Sequence, residues 1–120
     1  MRSLIWTTTF VASFAPVAAF ADAIPTAFHG NWSQSQATCN DPNEDTHGLT
    51  ITPNALSFYE LQIKVAQVTD VAPGYVKVEG TYRDAGDTGQ IAVDMFLSTE
   101  DSVLALSGDL NSQLVRCRGK

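Results

Sequence analysis

Between Gln90 and Ser98 the residues alternate in kind. Ile91, Val93, Met95 and Leu97 fall on one side of an extended backbone, and Gln90, Ala92, Asp94 and Ser98 on the other, with Phe96 as the exception. A period of two is the signature of a strand that buries one face and wets the other. Tyr75 to Arg83 repeats the pattern: Val76, Val78 and Tyr82 oppose Lys77, Glu79, Thr81 and Arg83. Gly80 interrupts the apolar side and marks a bulge or a large neighbour. No stretch shows a sustained helical period, so the chain is expected to be all-β.

Weaker strands are expected at Gly30 to Gln34, Leu49 to Thr52, Leu56 to Glu60, Ile63 to Thr69, Ser102 to Ser107 and Gln113 to Cys117. Leu61 to Val68 also admits one or two helical turns. Turn-forming residues separate the segments, among them Thr52-Pro53-Asn54, Pro73-Gly74, Ala85-Gly86 and Gly108-Asp109. About eight short strands joined by short turns predict a small antiparallel up-and-down barrel or meander whose first and last strands meet. The expected inward residues are Leu49, Ile51, Leu56, Phe58, Val76, Val78, Tyr82, Ile91, Val93, Met95, Leu97, Leu104 and Leu106. They are enough to fill a small interior, and strands of roughly five to nine residues argue for a packed core over an empty pocket.

The N-terminus has the layout of a secretory signal peptide. Arg2 precedes an uncharged apolar run from Leu4 to Phe20, ending in Ala19-Phe20-Ala21. The run of about 17 residues is short for a membrane span of roughly 20 and is interrupted by Thr7, Thr8, Thr9 and Ser13. Residues 1–21 are therefore expected to be a cleaved leader, with Ala23 as the alternative cleavage point. Of 120 residues, removal of 21 leaves 99, a single β-barrel-like domain over 22–120 with no membrane anchor. The expected location is periplasmic or secreted.

In an oxidising compartment the two cysteines, Cys39 and Cys117, read as a disulfide. Closing so long a loop is worth roughly 4 kcal/mol in the chain-entropy treatment. Asp and Glu number 13 against 7 Lys and Arg, for a formal charge of −6. Such a surface repels phosphate backbones and anionic lipid, so no nucleic-acid partner is expected; a basic protein partner suits it, and so does simple solubility.

Gly30-Asn31-Trp32 resembles the G-x-W opening of the calycin barrels, the superfamily of lipocalins and fatty-acid-binding proteins. The resemblance implies barrel closure by Trp32 with Arg116, a cation from the last strand packing over the indole. The rest of the lipocalin pattern is missing and the chain is short. A second likeness covers nearly the whole region after the leader. The frame Ile24-Pro25, Phe28-His29-Gly30-Asn31-Trp32, Cys39, Leu49-Thr50-Ile51, Leu56-Ser57-Phe58-Tyr59-Glu60 and Val115-Arg116-Cys117 is similar to a group of small exported bacterial proteins of unassigned function. It implies a periplasmic location and a compact β fold and supplies no activity. Small periplasmic inhibitors of proteases or lysozymes share the size, the disulfide and the barrel style, but their binding motifs do not align with this chain.

Chemistry-bearing patterns are sparse. His29 and His47 lack metal-ligand spacing, and no metal or cofactor is expected. In the acidic loop 40–48, Asp41, Asn43 and Asp45 echo a calcium loop. Thr46 and Thr52 then stand where Gly and a bidentate Glu belong. A solvated loop and a weak calcium site are both left open. Glu60 ends an apolar segment, where a half-buried carboxylate would meet Arg83 or Arg116 in an ion pair, or act as an acid. No nucleophile elbow or phosphate loop is present, and no catalytic residue is assigned. Tyr59, Tyr75 and Phe96 fall on polar faces and are the candidate partner surface.

The expectation is a monomeric, non-enzymatic exported barrel that binds a periplasmic or extracellular protein, as an inhibitor-like or envelope accessory factor. The alternative is a carrier of small hydrophobic ligands of calycin type.

Overall fold

A computed structural model of the chain describes residues 19–39 and 48–118. Nine strands follow in order: β1 (Ala19–Ala21), β2 (Gly30–Ser33), β3 (Gly48–Thr52), β4 (Ala55–Phe58), β5 (Leu61–Ala72), β6 (Tyr75–Asp84), β7 (Asp87–Leu97), β8 (Val103–Gly108) and β9 (Ser112–Arg116). A 3-10 turn (Thr26–Phe28) precedes β2, and one helical turn, α1 (Gln36–Cys39), follows it.

Strands β2 to β9 form a closed eight-stranded antiparallel barrel. Each strand pairs with the next, and β9 returns to β2 through Trp32↔Arg116 and Ser33↔Val115. Closure leaves these eight strands no continuous open edge. Strand β1 was not expected. It pairs with the outer half of β5 through Ala21↔Val68, Phe20↔Thr69 and Ala19↔Asp70, in line with β4, which covers only the inner half. These are the last residues of the expected leader; the rest of that leader lies outside the described residues. No helix among the described residues is long and apolar enough to cross a membrane.

Three strands are longer than the sequence pattern suggests: β5 has 12 residues, β6 has 10 and β7 has 11. The helical alternative for Leu61 to Val68 is overturned, because that segment lies within β5. A bulge at Ala66 shifts the register between Val65↔Gly80 and Gln67↔Glu79. The backbone closes on Gly80 there: a Cβ at that position would stand 2.0 Å from the Lys64 carbonyl oxygen. Only glycine permits that approach.

The core contains the expected Leu49, Ile51, Leu56, Val76, Val78, Val93, Met95, Leu104 and Leu106. It also takes Ile63, Val65 and Val68 from β5, Leu114 from β9, and Trp32, Ile24 and Phe28 from the start of the domain. Phe58, Tyr82, Ile91 and Leu97, expected inside, are half-buried against it. They lie toward the barrel ends, where packing is incomplete.

Cys39 and Cys117 form the disulfide, with Cα atoms 5.4 Å apart. The bridge ties α1 to the residue following β9, beside the closing seam. The Cys117 N–H donates to Asn31 O at 2.8 Å and extends the seam past its last ladder pair.

Two outcomes are expected in urea unfolding. Gly80→Ala should lower stability by about 2 kcal/mol or more, since the clash is with backbone that cannot rotate away. Replacing both cysteines with alanine should lower it by about 2–4 kcal/mol. Unchanged midpoints would contradict these assignments.

Candidate functional site

One end of the barrel is plugged. Ile24 enters from β1 and donates its N–H to Pro53 O in the β3–β4 turn at 2.9 Å. The 3-10 turn then lays Phe28 into the core. The His29 ring Nε2 lies 2.7 Å from Ile24 O, so this histidine clasps the plug. Trp32 is 1 % exposed, and its Nε1–H donates to Phe28 O at 3.0 Å.

Arg116 stands directly across the seam from Trp32, with its guanidinium carbon 4.3 Å from the indole centroid. Its Nε donates to Asp101 O at 2.7 Å, Nη1 to His29 O at 2.7 Å and Nη2 to Ala27 O at 2.5 Å. A planar fork of donors suits three carbonyls from two separate segments, and the indole face balances the charge from below. Gly30 has φ +122°, and a Cβ there would lie 3.2 Å from Nη1. The small residue of the G-x-W opening thus makes room for the arginine.

Tyr75 and Phe96 meet on the outer wall of this same end. They are cross-strand neighbours on β6 and β7, with stacked rings 4.3 Å apart at 24°. Phe96 remains 39 % exposed, and Val71, bulged out of β5 nearby, 43 %. Tyr59 does not join them. It lies 51 % exposed in the β4–β5 turn, at the opposite end of the barrel.

The Tyr75 hydroxyl donates to Asp94 Oδ1 at 3.0 Å. That bond, together with partial desolvation and the negative charge of the carboxylate, raises the phenol above its ordinary value near 10. A group with a raised folded-state pKa stabilises fully below its unfolded value, and the contribution disappears as pH climbs through the higher folded one.

Behind the aromatic pair, between plug and wall, lies a cavity of about 370 Å³. Pro25, Phe28, Val76 and Leu97 line it, together with Asp70 and Asp101. The expectations did not single out these two acids. They are ordinary acidic residues in sequence, and only the return of the β7–β8 turn toward the β5–β6 hairpin unites them.

Other candidates have structural places. Glu60 is exposed at φ +63° in the β4–β5 turn, so it is not the half-buried carboxylate expected to meet Arg83 or Arg116. Asp109 accepts the Ala92 N–H at 2.9 Å and fastens the β8–β9 turn. Loop residues 40–47, with His47 and the calcium-like acids, lie outside the described residues. Among the described residues no group of three or more His, Cys, Asp or Glu side chains is placed to hold a metal.

No known protein family, curated protein or solved structure matches the chain.

Four outcomes follow from this geometry. Trp32→Ala should cost about 3–5 kcal/mol in unfolding free energy. Arg116→Met should cost about 2–3 kcal/mol through the stranded carbonyls, and Arg116→Lys should recover less than half of that, since one ammonium cannot span all three. In an ultraviolet titration, Asp94→Asn should bring the Tyr75 phenol back toward 10. The stability gap between wild type and Tyr75→Phe should hold from neutral pH to about 10 and narrow above it.

Proposed function

We propose that the protein is a non-enzymatic, exported small barrel that binds a protein partner through its plugged end. The observation that carries this reading is the stacked Tyr75–Phe96 pair, left half-open to water on a rigid stretch of β6–β7. Aromatic side chains held rigid by a sheet lose little entropy on contact, and such residues dominate protein interfaces. The exposed Val71 extends the patch, and the net charge of −6 favours a basic partner. Export to an oxidising compartment, periplasmic or extracellular, is supported by the disulfide and by the leader-like N-terminus.

A second reading, a calycin-type carrier, is favoured by one observation: Arg116 lies over Trp32 behind a G-x-W opening. The filled interior speaks against it, for Leu56, Val93, Met95 and Leu104 have no exposed surface and occupy the space a ligand would need.

Native mass spectrometry of the protein gently isolated from its own envelope tests both. A bound mass of several thousand daltons or more is the expected result, and Phe96→Ala should weaken that complex by about 2 kcal/mol, near thirtyfold. An adduct of a few hundred daltons would replace this reading with the carrier. A bare monomer would remove both.

A further inference from the structure

The cavity at the plugged end has two kinds of wall. Pro25, Phe28, Val76 and Leu97 make it apolar, and Asp70 and Asp101 put two carboxylates among its lining residues. Asp70 is the cross-strand neighbour of Val76 and shares its face of the sheet, but it is exposed, as is Asp101, so both acids sit at the solvent-facing rim of the cavity. Asp101 comes from the β7–β8 turn, where its main-chain carbonyl is held by Arg116. Among the described residues neither carboxylate has a hydrogen-bond or ion-pair partner. The nearby cation, Arg116, has Nε, Nη1 and Nη2 committed to carbonyls.

We infer that this cavity receives a lysine or arginine side chain presented by the protein partner. This rests on the protein-binding reading above and names the chemistry of the contact. The alkyl stem lies along Phe28, Val76 and Leu97, and the charged head meets Asp70 and Asp101. A long basic side chain has that division, an apolar stem and a cationic tip. The cavity's size is at the small end for a binding pocket and suits one side chain better than a large ligand. The alternatives match the walls less well. A neutral apolar group would gain nothing from the two carboxylates at the rim. A bare calcium ion would need six to eight oxygens, and the remaining walls are largely hydrocarbon. The charge of −6 carried by the chain draws a cation of either source toward this mouth.

The test is an NMR titration of the full chain with three probes: a capped pentapeptide Ala-Ala-Lys-Ala-Ala, its norleucine counterpart, and n-hexylammonium. The lysine peptide is expected to shift amides in residues 70–76 and 97–101, with the norleucine peptide at least about tenfold weaker. Asp70→Asn with Asp101→Asn should lower lysine-peptide affinity by about tenfold or more while leaving the rest of the spectrum in place. Raising the salt from low to about 0.5 M should weaken it comparably, as screening requires. If the double variant does not fold, Asp70→Asn alone and the salt series carry the same decision. Equal binding of lysine and norleucine peptides, or no shift at these amides, overturns the inference. Binding of n-hexylammonium without the lysine peptide also overturns it, and makes the cavity a small-amine site. The readout needs no native partner. A failed titration therefore leaves capture through Phe96 standing, and failed capture leaves the titration standing.

Discussion

The β2–β9 seam is the contact on which the barrel depends. Two ladder pairs close the whole ring, whereas β5, β6 and β7 are joined along ten or more residues. A seam that short has little strength from its own hydrogen bonds. It is reinforced from three sides: Trp32 and Arg116 stack across it, the Cys117 N–H extends it to Asn31, and the disulfide fastens α1 beside it. Gln36 adds a side-chain bond to the Arg116 carbonyl at 2.6 Å. Arg116 is the hub, because the same guanidinium also fixes the plug and the β7–β8 turn. Loss of that one side chain would loosen the seam, the plug and the turn together.

The two ends of the barrel differ because of this hub. At the plugged end, segments from Ile24 to His29, the β5–β6 hairpin and the β7–β8 turn are drawn together, and a cavity and an aromatic patch result. Tyr59 and Glu60 sit at the other end in an exposed two-residue connection. The aromatic pair gains from its place on strands, because binding groups placed on strands are held more closely than groups on loops.

Much of the fold is legible in the residues. The alternation in Gln90–Ser98 and Tyr75–Arg83 marks β7 and β6, Pro73-Gly74 and Ala85-Gly86 mark their turns, and the cysteines anticipate the neighbouring first and last strands. Strand β5 is harder to read for a physical reason. The bulge at Ala66 inserts a residue, so Leu61, Val65 and Val68 fall four and then three apart, which is helical spacing. A second bulge at Val71 ends the regular pairing after Asp70, which stays exposed on the same face as Val68. The aromatic pair is half legible: each ring shows as an apolar residue on a polar face, but their meeting depends on register, as does the exclusion of Tyr59. The cavity acids are not legible at all, because no local pattern distinguishes them.

The unequal strand lengths also have a kinetic consequence. The β5–β7 ribbon is built from two hairpins whose contacts are close in sequence, and such contacts form early at small entropic cost. The seam joins segments separated by most of the domain, comparable to the 78 positions spanned by the disulfide. It closes late, once the ribbon exists as a template. Until then the ribbon's inner face is uncovered, and oxidation of Cys39 and Cys117 awaits the same closure. Acquisition of the disulfide therefore reports the completed ring, and a chain that stalls before it presents apolar strands to its surroundings.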